Sequence, residues 1–407
     1  MNATTAERSN QRNAVIAAFL GWTLDAFDFF VLTFVLAPIA GDFHCSVPQI
    51  ALAITASLAT RPIGAFLFGL LADRYGRRLP LMLDILLYSG VEVLSGFAPN
   101  FTTFIILRLI YGIGMGGEWG VGASLAMESV PVRWRGVLSG FLQEGYAVGY
   151  LLAAVAYWTV FPHWGWRALF FLGGVPALLT LFIRLKVKES EVWKARKPER
   201  HDWREYGREV WANGRRFLYL VLLMAMMNFI SHGTQDIYPT YLQQQRGFTP
   251  KLTAIITIVS MIGAILGSLA IGLLSDRIGR RRAMVISVVA AIFVIPLWVF
   301  APTLSLILTG AFLMQFTMQG AWGVIPAHIN ELSPDRLRGF FPGFAYQVGV
   351  LLAASSAYIE ARMSHRFGYG MAMAIFAGVV LAVCAVVIAF GPEAHRVSFG
   401  EKGAPAG

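Results

Sequence analysis

The chain has 407 residues, of which 57% are hydrophobic and only 14% charged, with 41 glycines and a mean hydropathy of +0.61. A soluble domain carries about 25% charged residues, so an ordinary soluble enzyme is excluded. The formal charge of +10 sits in short basic clusters between apolar runs and not along one exposed face, which argues against a nucleic-acid partner and for loops flanking a lipid bilayer.

The first residues, MNATTAERSNQRN, are polar, and the apolar run behind them lacks a small-residue cleavage site, so it reads as a retained first helix and not a signal peptide. Apolar spans follow at 14–38, 49–71, 80–98, 101–123, 137–160, 167–186, 217–242, 252–274, 283–301, 303–326, 340–361 and 369–391. Each is long enough to cross about 30 Å of hydrocarbon as a helix. The one long hydrophilic stretch, from Lys186 to Arg216, separates the sixth span from the seventh. The expected organisation is therefore a six-helix bundle over 1–186, a cytoplasmic linker over 187–216, and a second bundle with a cytoplasmic tail over 217–407. Two cysteines, Cys45 and Cys384, support neither a disulfide framework nor a metal site.

Lys and Arg set the orientation. With the N-terminus inside, 26 of the 33 fall on the cytoplasmic side, five lie outside, and Arg61 and Arg108 lie within spans. The positive-inside rule then puts both termini in the cytoplasm.

An internal repeat supports the division. Gly69-Leu-Leu-Ala-Asp73-Arg74-Tyr-Gly76-Arg77-Arg78 returns as Gly272-Leu-Leu-Ser-Asp276-Arg277-Ile-Gly279-Arg280-Arg281, an offset of 203. Glu128 matches Glu331, Arg133 matches Arg336, and Arg135-Gly136 matches Arg338-Gly339 at the same offset. The expected fold class is an all-α membrane protein, with twelve transmembrane helices in two pseudo-symmetric six-helix bundles and a site between them near the midplane.

Ionisable groups inside spans cost about 2.5 kcal/mol or more each and are functional hypotheses by default. They are Asp25, Asp28, Arg61, Asp84, Glu92, Arg108, Glu118, Glu144, His232 and Asp236. Acids outnumber fixed cations, so some acids should spend part of a cycle protonated. Arg61 offers a planar fork that suits a carboxylate; its alternative is a structural partner for Asp25 or Asp28. Asp25 and Asp28 share a helix face, and Asp28, beside Phe29 and Phe30, is the preferred proton site. Glu118 and Glu144 are proton candidates or packing contacts. On the seventh helix Asn228, Ser231, His232, Gln235 and Asp236 fall within an arc of about 140°, which reads as cavity lining, with helix-to-helix glue as the alternative. His232 and Asp236, at i and i+4, can share a proton.

The repeated G-x-x-x-D-R-x-G-R-R loop and the Arg108-x-x-x-Gly112-x-Gly114 run resemble the signature motifs of the major facilitator superfamily. That resemblance implies alternating access by rocking of the two halves, with Asp73, Arg77, Arg135, Asp276, Arg280 and Arg338 latching the inner gate. The seventh-helix run Asn228-Phe-Ile-Ser231-His232-Gly-Thr234-Gln235-Asp236-Ile-Tyr-Pro-Thr240 is similar to the motif of fungal lactate and pyruvate permeases, which belong with the sialate:proton symporters. Trp22-Thr-Leu-Asp25-Ala-Phe-Asp28, Gly116-Gly117-Glu118-Trp119-Gly120 and Tyr346-Gln347 resemble the same family, although Val350 stands where its pattern has Asn.

What this resemblance implies is a proton-coupled symporter of a small monocarboxylate such as lactate or pyruvate. The carboxylate would dock at Arg61, Asn228 and Gln347, and the substrate's hydroxyl or keto oxygen at His232 and Gln235, with Ser231 and Tyr346 beside it. Sialate, muconate or an aromatic acid is the alternative cargo, and a sensor that no longer transports is a more distant one. No P-loop, nucleotide fingerprint, HExxH or nucleophile triad is present. The chain is thus expected to be a carrier and not an enzyme, without cofactor, monomeric, in a bacterial inner membrane.

Overall fold

A computed structural model of the protein describes residues 5–196, 203–394 and 397–399. Part of the expected linker, 197–202, and of the tail, including Arg396 and Lys402, lies outside the described residues. Among the described residues every regular element is helical.

The first half comprises α1 (Thr5–Phe34), α2 (Leu36–Asp42), α3 (Val47–Tyr75), α4 (Arg78–Gly96), α5 (Phe101–Ser129), α6 (Arg135–Gln143), α7 (Gly145–Leu172) and α8 (Pro176–Lys186). Two short helices, α9 (Glu191–Arg196) and α10 (Trp203–Ala212), lead to the second half. It comprises α11 (Gly214–Gln235), α12 (Tyr238–Thr240), α13 (Pro250–Ile278), α14 (Arg280–Phe300), α15 (Leu304–Leu332), α16 (Phe341–Ala353), α17 (Ser356–Phe367) and α18 (Tyr369–Ala389).

Local chemistry sets the ends. Ser46 and Gln49 form a capping box at the start of α3, the Ser46 hydroxyl accepting from Gln49 N at 3.4 Å and the Gln49 side chain accepting from Ser46 N at 2.8 Å. Thr249 caps α13 and Asn100 caps α5 in the same sense. Gly76 and Gly279 end α3 and α13 with φ of 96° and 100°, a left-handed turn open to glycine. The repeat offset is kept in three dimensions, since α3 and α13, and α5 and α15, begin and end 203 residues apart.

Four spans depart from the expected unbroken rods. The fifth is α6 and the start of α7, interrupted at Glu144; the sixth runs from the turn at Gly165, φ 71°, through a break after Leu172 into α8. The seventh stops at Gln235, and α12 and a π turn over Tyr241–Gln245 complete the crossing; Pro239, which has no N–H to donate, sits in that short element. The eleventh divides into α16 and α17.

Within the first half the closest packing pairs α3 with α5 and α1 with α7, and within the second α13 and α14 with α15. Between halves, α6 packs on α13 and α15, while α16 packs on α3 and α5. These contacts lie toward the end that carries the basic loops. Gly69 marks the closeness: a Cβ there would come within 2.8 Å of Phe340 Cα of the other half. The chain is a multi-pass membrane protein, closed at its basic end.

Candidate functional site

The basic end is held by two copies of one arrangement. Arg77 donates to Asp73 at 2.9 Å and, through Nε and Nη2, to both oxygens of Glu128 at 3.3 and 2.9 Å. Arg280 does the same to Asp276 at 2.7 Å and to Glu331 at 3.0 and 3.0 Å. Each aspartate then reaches the opposite half. Asp73 accepts from the backbone N–H groups of Gly339 and Phe340 at 2.7 and 3.2 Å, and Asp276 accepts from Gly136 and Val137 at 2.9 and 3.2 Å. Both pairs of N–H groups lie where α16 and α6 begin, so each carboxylate meets the positive end of a helix dipole.

Arg338 crosses to Glu128 at 3.4 Å, and Arg135 to Glu331 at 3.6 Å. Across the interface the partners of these arginines are the glutamates, and Arg338 also pairs with Asp335 of its own half. Other segments join the closure. Tyr206 of α10 donates to Asp73 at 3.0 Å, and Arg336 pairs with Glu205 and Glu209 at 2.9 and 3.2 Å. The guanidiniums of Arg135 and Arg338 lie 3.5 and 3.7 Å from the ring of Phe399. Nothing in the repeat pointed to these last contacts.

Nearer the midplane, Arg61 is buried on α3 with Nη2 at 3.8 Å from Asp25 of α1. That distance makes an ion pair and no hydrogen bond. Both Asp25 oxygens and the Arg61 Nε and Nη2 atoms are otherwise without a hydrogen-bond partner. Tyr346, Trp119, Trp22 and Trp322 surround the same place: the Tyr346 ring centroid lies 4.4 Å from Trp119, 6.3 Å from Trp22 and 6.1 Å from Trp322. Trp22 also stacks on Tyr146 at 5.4 Å. Gln347 donates to the Gly116 carbonyl at 3.4 Å across the interface between halves, leaving its own carbonyl oxygen unpaired.

Asp28 is fully buried and unpartnered. Its desolvation comes from the break in the sixth span, where a Cβ at Gly173 would lie 2.9 Å from Asp28 Oδ1 and 2.2 Å from Glu92 Cγ. Phe29 packs against the buried cluster that holds Tyr88 and Tyr111, while Phe30 turns toward Tyr146 and Tyr150. Arg108 donates through Nη2 to Glu92 and Ser95, at 2.6 Å each, while its Nε and Nη1 have no hydrogen-bond partner. Glu118 and Asp84 are buried without partners, and Glu144 stands at the junction of α6 and α7.

On α11 the predicted arc is kept in part. His232 Nδ1 lies 3.0 Å from Asp236 Oδ2, with side chains 40% and 36% exposed. Gln235 contacts Ser231 at 3.4 Å and Gln315 at 3.2 Å. Asn228 differs from expectation: it is buried and donates to the Met224 carbonyl of its own helix at 2.8 Å. Thr234, outside the arc, faces Gln315 of α15. Two site neighbours escaped sequence reasoning. Gln315 is neutral and carried no charge signal, and Glu360, buried on α17 with both oxygens unpartnered, sat at the edge of a span taken as one rod. Among the described residues no cluster of His, Cys, Asp and Glu has the geometry of a metal site.

Residues 18–266 match the Major Facilitator Superfamily, and residues 191–402 match the family described as sugar (and other) transporter. The sialic acid transporter NanX of Escherichia coli is 30% identical, the alignment covering 93% of this chain and 94% of the relative. A probable 4-methylmuconolactone transporter of Cupriavidus pinatubonensis is 31% identical over 97% of this chain and 93% of its own. A carboxylic acid transporter protein homolog of Saccharomyces cerevisiae is 28% identical over 94% and 68%. Among solved structures, the proton:xylose symporter XylE superposes with a TM-score of 0.77 at 20% identity, covering 97% of this chain and 98% of that one.

Proposed function

From its membership of the major facilitator superfamily, to which this chain belongs and whose members are transporters and not enzymes, we propose that it carries a small monocarboxylate together with a proton, lactate or pyruvate being the cargo to test first. The bundles over 1–186 and 217–407 rock about the site, joined by the linker over 187–216, and the basic end faces the cytoplasm of a bacterial inner membrane. The arrangement described is then the outward-facing one.

One observation carries the reading: the loose Arg61–Asp25 pair, at 3.8 Å with no hydrogen bond on the facing atoms. An ion pair built for stability would close to a bidentate fork, as Arg77 and Glu128 do. Here the guanidinium is held in reserve. A proton taken up by Asp25 releases Arg61, and a substrate carboxylate then takes the freed N–H groups. The charge at the site is the same before and after, so no net charge is added around Arg61 and Asp25 when the loaded carrier turns over. Asp28, Glu118 and Glu144 provide further proton positions around Asp25, and His232 with Asp236 does so from the other half. Gln235 and Ser231, and Gln347 by its unpaired carbonyl, fit the hydroxyl or keto group.

A second reading has its own support. The rings of Trp22, Trp119, Tyr146, Trp322 and Tyr346 give planar walls beside Arg61, which suit an unsaturated or aromatic acid. The names of the bacterial and yeast relatives support an acid as cargo without choosing its size.

The test uses purified protein in proteoliposomes. An inward proton gradient drives accumulation of radiolabelled lactate, and a protonophore abolishes it. Asp25→Asn, which mimics the protonated acid, keeps lactate counterflow but loses accumulation driven by the gradient. Counterflow with benzoate or muconate and none with lactate selects the second reading; gradient-insensitive uptake rejects proton coupling.

A further inference from the structure

Glu360 is an acid for which neither the fold nor the site above has a use. It lies on α17, is fully buried, and its two oxygens have no hydrogen-bond partner. Its carboxyl rests against α11, where a Cβ at Gly233 would sit 3.6 Å from Oε1 and 2.4 Å from the ring of Phe376. The elements packed on α17 are α11 and α18. From α11 the titratable groups are Asp236, which acts on Glu360 electrostatically, and His232 behind it. From α18 comes Phe376, and that helix carries no Asp, Glu, Lys, Arg or His. On α17 itself Arg362, His365 and Arg366 are exposed, and Arg362 donates to Tyr358 at 3.2 Å. Among the described residues no cation faces the carboxyl, and the charged group that does is another carboxylate.

The repeat shows that the bundle does not need an acid here. The charges that hold the two halves recur at an offset of 203, and the turn glycines Gly165 and Gly368 keep the same offset on either side of this region. At that offset Glu360 corresponds to Tyr157 and Asp236 to Thr33. A buried carboxylate with no counter-charge is costly enough that the neutral acid is the form accommodated at Glu360.

We propose that Glu360 and Asp236 share a second transported proton, held in the C-terminal half and separate from the Asp25 site. This rests on the proton-coupled reading above. Glu360 gives its proton to the Asp236 carboxylate, which passes it to His232 or to water in the cavity, and charge balances at each transfer. The break between α16 and α17 at Ala354 and Ser355 lets α17 tilt alone, so closure of the outer end changes the separation of the two acids. With one lactate anion and two protons, each cycle moves one positive charge inward.

Two measurements decide it. In lactate-loaded proteoliposomes, an inside-negative potential of about 100 mV raises equilibrium accumulation about fiftyfold for the wild type. Glu360→Gln, of the same shape, loses that response while keeping accumulation driven by the pH gradient, and Asp236→Asn loses the response too. A wild type indifferent to potential, or a Glu360→Gln variant that still responds, overturns the proposal. Infrared spectra of the substrate-free protein in lipid give the second arm. A protonated-carboxyl stretch that titrates in the wild type disappears in Glu360→Gln; an unchanged band overturns the proposal. This arm needs no cargo, so it still decides the role of Glu360 if lactate is not carried, a result that would instead reject the transport reading.

Discussion

Arg61 and Arg77 are the same side chain put to opposite uses, and the difference lies in what surrounds the guanidinium. Arg77 has two carboxylates and the Ala72 carbonyl within 3.3 Å and is fully committed. Arg61 has one carboxylate at 3.8 Å and unspent donors. Arg61→Lys keeps the charge but replaces a fork by a point donor. The expected loss of one charge-assisted hydrogen bond is about 1.5–3 kcal/mol, a rise in KM of about ten- to a hundredfold, with expression unchanged. Lactate KM within twofold of wild type would remove Arg61 from the site. Sequence reasoning picked out Arg61 and the neighbouring acids because an ionisable residue in an apolar span is conspicuous. It could not tell that Arg108 closes on Glu92 at 2.6 Å while Arg61 stays 3.8 Å from Asp25, since that depends on which helix faces which. The repeat adds one hint that was legible: Asp25 corresponds to Asn228 and Glu144 to Gln347 at the 203 offset. Acids on one side stand opposite their amides on the other, which fits proton chemistry at Asp25 and Glu144 and neutral hydrogen bonding at Asn228 and Gln347.

At the scale of an element, α11 is informative because its faces meet different neighbours. Ser231, His232, Gln235 and Asp236 are partly or well exposed, while Thr234 turns to α15 and Gly233 to Phe376. Cysteine at Ser231, His232 or Gln235 should therefore react with a small hydrophilic thiol reagent and be protected by lactate. Cysteine at Asn228 or Thr234 should react at least tenfold more slowly, since both side chains are buried. Protection centred on Thr234 would mean that the polar stripe binds helices and not cargo. The helical wheel put Ser231, His232, Gln235 and Asp236 on one partly exposed face of α11 but also placed Asn228 there, which is buried and bonded to its own helix. Glu360 was not singled out, because the eleventh span reads as one rod whereas α16 and α17 are separate helices, and the divide at Ala354 and Ser355 carries neither Gly nor Pro. Tertiary packing makes that break, and no local propensity announces it.

The whole molecule is held closed at one end by a two-fold set of contacts. Asp73 caps the start of α16 from the first half, and Asp276 caps α6 from the second. Because the helix pairs are rigid, both caps open in one movement, and their free energies should add in the equilibrium between closed and open. Asp73→Asn leaves one acceptor oxygen and removes the charge, so about 1.5–3 kcal/mol of the closed state's advantage is lost. Asp276→Asn should cost a similar amount, reduced by the slightly greater exposure of its side chain. Arg135 and Arg338 each keep their glutamate in both variants, and Phe399 between them adds cation–π contact to the same closed state. Spin labels at the exposed positions Tyr75 and Arg277, on opposite halves, report the distance across this end. Each single variant should shift the distribution toward the longer distance by about ten- to a hundredfold in population ratio, and the double variant by the product of the two. Lactate binding measured in the detergent-purified protein should survive in all three, because neither aspartate touches the midplane. A double variant no more open than either single would mean that the two caps act on different movements, and the rigid two-fold rocking inferred from the repeat would give way to local gating by α6 and α16.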